Sequence, residues 1–82
     1  MKAMSKTILH LLEERGAGKT ICPSEAARAV AGSDARSAWE PLMDEAREAA
    51  FALADAGQIV VTQKGRVIDG RTATGPIRLR LK

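Results

Sequence analysis

The 82-residue chain predicts a mainly α domain carrying a small antiparallel sheet, an α+β fold. Three observations lead there. The first 56 residues place apolar side chains at helical spacing, whereas the last 26 alternate apolar with basic residues. Trp39 and Phe51 are the only aromatics, so the core must come from aliphatic residues and many alanines, which suits closely packed helices better than a β-sandwich. Glycines at 16, 32 and 57 each follow an apolar helical pattern and close it.

The elements follow in order. Ala3–Arg15 is a helix, with Met4, Ile8, Leu11 and Leu12 forming one apolar stripe and Lys6, His10, Glu13 and Glu14 lying off its centre. Gly16 and Gly18 stop it, and Lys19-Thr20-Ile21 is an extended piece too short to persist unless it pairs with another strand. Pro23 suits the first position of a second helix, because its missing N–H would be unpaired there. Glu25 is placed to reach back to the backbone of Cys22, as in a capping box. This helix runs to Ala31 with Ala26, Ala27 and Val30 inward, and residues 32–38 form a polar connector with room for one helical turn.

The longest helix is expected over Glu40–Ala56, its start marked by Ser37, Glu40 and Pro41. Leu42, Ala46, Ala49, Ala50 and Leu53 share its buried face. Ile59–Thr62 is a β-branched strand. In the final strand, Ile77, Leu79 and Leu81 alternate with Arg78, Arg80 and Lys82. Residues 63–75, broken at Lys64-Gly65, Asp69-Gly70 and Gly75, predict a long exposed loop, with Arg66–Ile68 able to pair as an extension of the strands. Helix, short strand, helix, connector, helix, strand, basic loop, strand is the order of a winged helix-turn-helix: three helices plus a β-hairpin wing in a single domain spanning 1–82. A plain three-helix bundle with a loose hairpin is the alternative, disfavoured because Ile59, Val61, Ile77, Leu79 and Leu81 need a face to bury.

Several segments carry a more specific likeness. Lys19-Thr20-Ile21-Cys22-Pro23-Ser24-Glu25, Thr62-Gln63-Lys64-Gly65 and Gly75-Pro76-Ile77-Arg78-Leu79 resemble a small bacterial family known only as the domain of unknown function numbered 3253. Trp39, Pro41-Leu42-Met43 and Arg47 look like its middle motif, so the likeness covers nearly the whole chain. What it implies is a winged-helix-like fold. It implies no established activity and transfers no catalytic or binding residue.

Composition narrows the functional classes. Charged residues make up 28% and hydrophobic residues 45%, a globular balance that excludes a disordered tail or a collagen-like chain. No apolar run approaches the roughly 20 residues of a bilayer span, and the early run around Ile8–Leu12 lacks the cleavage site of a secretion signal. One cysteine forms no intrachain disulfide, in keeping with a reducing cytoplasm. Gly16–Thr20 looks like a phosphate-binding loop, but Glu13 stands where that motif needs its first glycine and a helix, not a strand, precedes it. The bland reading, a helix cap and turn, is preferred. Cys22 at a helix start is either a thiol with enhanced reactivity or a half-buried stand-in for a capping threonine, and the second use is the commoner. His10 is the sole histidine and has no ligand-spaced partners, so neither a metal site nor a catalytic triad is indicated. No enzyme, cofactor or small-molecule substrate is expected.

The charge is uneven. The chain carries a net +3, yet residues 57–82 hold six Lys/Arg against Asp69 alone, a net of +5, while residues 1–56 hold seven against nine, a net of −2. A basic end of this kind meets phosphate or an acidic partner, or else is solvated surface that keeps the domain soluble. The leading expectation is a non-enzymatic nucleic-acid-binding protein, with duplex DNA as partner and transcriptional regulation as the role such a domain would serve. Lys64, Arg66 and Arg71 in the wing and Arg78 and Arg80 behind it are the phosphate contacts, presented together on one rigid lobe and joined by Arg36, Arg47 and Lys19. Against this, the long helix carries Glu40, Asp44, Glu45, Glu48 and Asp55 with Arg47 as its only cation. Its acidic surface would be repelled by phosphate, which leaves the wing to carry binding. The rival is a protein-interaction module, homodimeric or docking on a partner through Phe51 with Asp44 and Glu48. On that reading Phe51 is exposed; otherwise it is covered by the chain's own first helix or wing. Trp39 is expected to pack on the second helix rather than to stack on a base.

Overall fold

The computed structural model describes residues 2–82. Its elements are α1 (Lys2–Arg15), β1 (Thr20–Ile21), α2 (Pro23–Ala31), α3 (Arg36–Trp39), a 3₁₀ turn (Glu40–Leu42), α4 (Met43–Asp55), β2 (Ile59–Gln63), β3 (Arg66–Ile68) and β4 (Arg78–Leu81). The predicted α+β class holds: helices lie on one face of a four-stranded antiparallel sheet of order β1-β4-β2-β3.

The one helical turn for which the connector had room forms as α3, while the helix expected over Glu40–Ala56 starts later, at Met43. α3 begins at Arg36, four residues ahead of Glu40, so Ser37 lies inside the helix and Ala35 is its cap. The Ala35 carbonyl accepts from the Ala38 and Trp39 N–H groups at 2.9 and 3.3 Å. Glu40 pairs with Arg36 instead of capping Ser37. Pro41 explains the 3₁₀ turn between α3 and α4, since it has no N–H to bond back along the helix.

The core joins three sources. Met4, Ile8 and Leu12 come from α1, the alanines 26, 27, 46, 49 and 50 with Leu53 from α2 and α4, and Ile21, Ile59, Val61, Ile77 and Leu79 from the sheet and its approach. Alanine faces let the helices approach closely, so the larger aliphatics of α1 and the sheet fill the centre. Val30 is a correction: expected inward, it is 36% exposed. It sits in the last turn of α2, where the chain leaves through left-handed Gly32, whereas the buried residues of the helix, Pro23, Ala26 and Ala27, lie in its earlier turns.

The C-terminal segment is more ordered than a long exposed loop. Lys64 (φ +53°) and Gly65 (φ +81°) form a two-residue turn with both φ positive, so β2 and β3 make a tight hairpin closed by Gln63 opposite Arg66. From β3 the chain crosses residues 69–77 before β4 returns on the opposite side of β2. In that crossing Gly70 is buried: a Cβ there would lie 2.6 Å from Phe51 Cε1 and 3.0 Å from Val61 Cγ1. A ring held on a helix and a strand valine have little room to give way. Gly70→Ala is therefore expected to destabilise the fold by about 1–3 kcal/mol, measured by urea unfolding, and wild-type stability in that variant would disprove the close packing.

Candidate nucleic-acid interface

The hairpin turn carries Lys64 and Arg66 into solvent, and among the described residues neither makes an ion pair with a carboxylate. They are the only cations of the hairpin and crossing in that condition, because Arg71 is engaged elsewhere. Strand register also divides the arginines. Arg66 shares a sheet face with Ile68, which pairs with buried Val61 on the helix side. Arg78 and Arg80 pair with Thr62 and Val60 and point to the opposite face. The expected single lobe of arginines is thus corrected to two faces joined at the Lys64 tip.

Arg71 closes a latch onto α4. Its two terminal nitrogens donate to the Asp55 carboxylate at 3.1 and 2.9 Å, and its guanidinium lies 5.2 Å from the centroid of the Phe51 ring. Arg47 lies 5.9 Å from the same ring. The turn that aims Arg71 is built locally: the Asp69 carboxylate accepts from the Arg71 N–H at 3.1 Å and the Asp69 carbonyl from the Thr72 N–H at 3.1 Å. Phe51 is consequently 7% exposed: of the two readings of this residue, the one in which its own chain covers it holds, and the exposed docking phenylalanine of the rival reading does not. The chain's own crossing covers it. Asp44 and Glu48 remain exposed, without the apolar anchor a partner would grip.

Arg78 is likewise structural in its contacts. Its Nε donates to Thr20 Oγ1 at 3.0 Å, and its terminal nitrogens reach the Thr20 carbonyl and Cys22 Sγ. Arg15 also donates to the Thr20 carbonyl, at 3.0 Å, and pairs with Glu25. The Glu25 carboxylate in turn accepts from the Cys22 N–H at 2.8 Å, the capping interaction expected at the start of α2. Burial alone would push the Glu25 carboxyl up, but the Cys22 N–H, Arg15 and Arg78 outweigh it and hold the group below its ordinary range. Cys22 is half-buried within this network. Arg80 is half-buried between Thr20 and Val60, and Lys19 is exposed.

The turn between α2 and α3 holds a cluster that sequence reasoning missed. The Arg28 guanidinium lies 4.9 Å and that of Arg36 6.0 Å from the Trp39 ring centroid, and Trp39 Nε1 donates to the Asp34 carbonyl at 3.1 Å. Trp39 does pack on the second helix, through Arg28. The two residues are eleven apart across an irregular turn, so no periodicity could have paired them.

Gly16 and Gly18 both have positive φ, and the Gly16 N–H caps α1 on the Leu12 carbonyl at 3.0 Å, a helix end rather than a phosphate loop. His10 lies 3.4 Å from Glu14 at an exposed site. Among the described residues there is no enclosed pocket and no trio of His, Cys, Asp or Glu side chains able to hold a metal ion. No described helix is long and apolar enough to cross a membrane.

The latch has a pH signature. The Arg71 hydrogen bonds hold the Asp55 carboxyl below its ordinary value. A lowered folded-state pKa contributes stability that is present above the unfolded value, about 3.9, and is lost as pH falls through the folded one. Urea unfolding at neutral pH and near pH 3 is expected to show a smaller loss on acidification for Asp55→Asn than for wild type. Equal losses would mean that the pair contributes nothing in solution.

No curated protein matches the chain. Residues 1–82, its whole length, match the family model described as "Protein of unknown function (DUF3253)", and the chain belongs to that family.

Proposed function

We propose that this protein is a winged-helix, non-enzymatic nucleic-acid-binding protein that meets the phosphate backbone of duplex DNA through Lys64 and Arg66. The observation that carries the reading is the tight hairpin, which projects two cations that no carboxylate of the described chain neutralises. Element order supports it: α2, a short turn and α3 stand before a sheet whose hairpin lies at one edge, as in wings that touch backbone or minor groove beside a helix in the major groove.

The α3 start at Arg36 also eases the charge conflict at the groove. Residues 36–39 contain Arg36 and no carboxylate, although exposed Glu40 follows at once and pairs with Arg36; Asp44, Glu45, Glu48 and Asp55 lie further along, on α4. In helix-turn-helix docking the N-terminal residues of the second helix reach the bases. Arg71 and Arg78 hold the fold together and are not among the proposed phosphate ligands. Binding rests on few ion contacts, so it is modest, with a log–log salt slope of only about one per contact. A sole, half-buried cysteine suits a reducing compartment such as the cytoplasm.

Fluorescence anisotropy with a labelled random-sequence duplex at low and raised salt tests this. Wild type is expected to bind at low salt, and Lys64→Ala/Arg66→Ala to bind more weakly with a log–log salt slope shallower by about 2. Arg71→Ala is expected to lower thermal stability more than it lowers affinity per folded molecule. Absence of binding by wild type, or an unchanged slope in the double variant, would overturn the proposal.

A further inference from the structure

We infer that Arg28, Trp39 and Arg36 form a second contact for the phosphodiester backbone of the same nucleic acid, at the shoulder between α2 and α3. The inference rests on the nucleic-acid reading above and adds a site on different elements from the hairpin tip.

Two arginines approach one indole here, with Cζ atoms 4.9 and 6.0 Å from its centroid. A guanidinium attracted to a ring face keeps its in-plane N–H donors available, and those donors match the paired oxygens of a phosphate. The indole is itself fixed, because its Nε1 donates to the Asp34 carbonyl at 3.1 Å. Half-buried Arg28, the nearer of the two, is therefore held against the ring before any ligand arrives, which lowers the entropic cost of binding. Arg28 is half-buried and makes no ion pair with a carboxylate among the described residues. Arg36 meets Glu40 through Nε at 2.5 Å, so its two terminal nitrogens keep their donors. That pair is widely exposed, 78% and 56% at the two side chains, and an exposed ion pair is weak enough to exchange for a phosphate.

A phosphodiester suits the shoulder better than an acidic protein does. The ring and the arginine donors together fit a regular, singly charged backbone, and the exposed neighbours Ala35 and Pro41 add no apolar socket of the size a protein partner would fill.

Trp39 is the sole tryptophan and the chain has no tyrosine, so its emission reads this site directly. Three samples are titrated at low and raised salt: wild type, Arg28→Ala and Arg28→Gln, the last preserving most of the packing on the ring. The titrants are a short random-sequence duplex and, separately, poly-glutamate. Thermal melts establish that each variant is folded. The duplex is expected to change wild-type Trp39 emission in step with anisotropy. Both variants should weaken duplex affinity about fivefold and reduce the salt slope by about one. Poly-glutamate should change emission little. Anisotropy showing tight duplex binding with Trp39 emission unmoved and Arg28 variants unaffected would overturn the shoulder while leaving the hairpin reading intact. Equal responses to poly-glutamate would overturn the phosphodiester assignment in favour of an acidic protein. No duplex binding by wild type would bring down both readings together.

Discussion

The fold depends on β4 pairing between β1 and β2. The last strand of the chain meets Thr20–Ile21 on one side and Ile59–Thr62 on the other, so the sheet has no centre without it. The consequence reaches the helices. The buried faces of α2 and α4 are largely alanine, which contributes little apolar area per residue, and the deficit is made up by Met4, Ile8 and Leu12 of α1 together with Leu79, Ile77, Ile59, Val61 and Ile21 from the sheet side. A two-residue β1 would not persist alone; paired with β4 it ties the segment between α1 and α2 to the C-terminus. One long-range pairing thus completes both the sheet and the core of a domain with few large side chains.

Electrostatics follows from that closure. Arg78, on β4, reaches Thr20 and Cys22 across the β1–β4 pair, and Arg15 reaches the same threonine carbonyl from the end of α1. Arg71 binds the crossing to α4 through Asp55 and covers Phe51. Much of the basic C-terminal charge therefore neutralises or orders the protein itself. What remains outward is narrower: the hairpin tip at Lys64 and Arg66, the exposed Lys82, and the half-buried Arg80 on the other sheet face. A net charge of +5 over the last 26 residues overstates the surface offered to a partner, because charge counts ignore where the counter-charges fold.

The same closure redefines the acidic helix. By helical period, Arg47, Phe51 and Asp55 share one face, and the crossing lies over it with Arg71 and Gly70 against the ring. A phenylalanine among charges looks like an interaction site in a helical projection. In the folded chain it is an internal contact whose charged surroundings hold the covering segment down. Asp44 and Glu48 remain as solvated charge.

The sequence by itself determined what depends on near neighbours. The α1 stripe of Met4, Ile8 and Leu12 with Leu11 at its half-buried edge, the Glu25 cap, the Lys64-Gly65 break and the alternation of Ile77, Leu79 and Leu81 with arginines are all written within a few residues, and each is seen in the fold. The same local information misplaced the start of the long helix, which is Met43 and not Glu40, since Ser37 and Glu40 spell a capping box that Arg36 pre-empts by pairing with Glu40. Only the tertiary structure decided which arginines are free. Arg71 finds Asp55 sixteen residues away, Arg78 finds Cys22 fifty-six away, and Arg28 meets Trp39 across a turn. Such partners are set by which faces the hydrophobic core brings together, and a one-residue change in strand register would reverse them. The physical reason is range: caps, turns and periodicity are local energies, whereas the accessibility of a charge is a property of the whole packed surface.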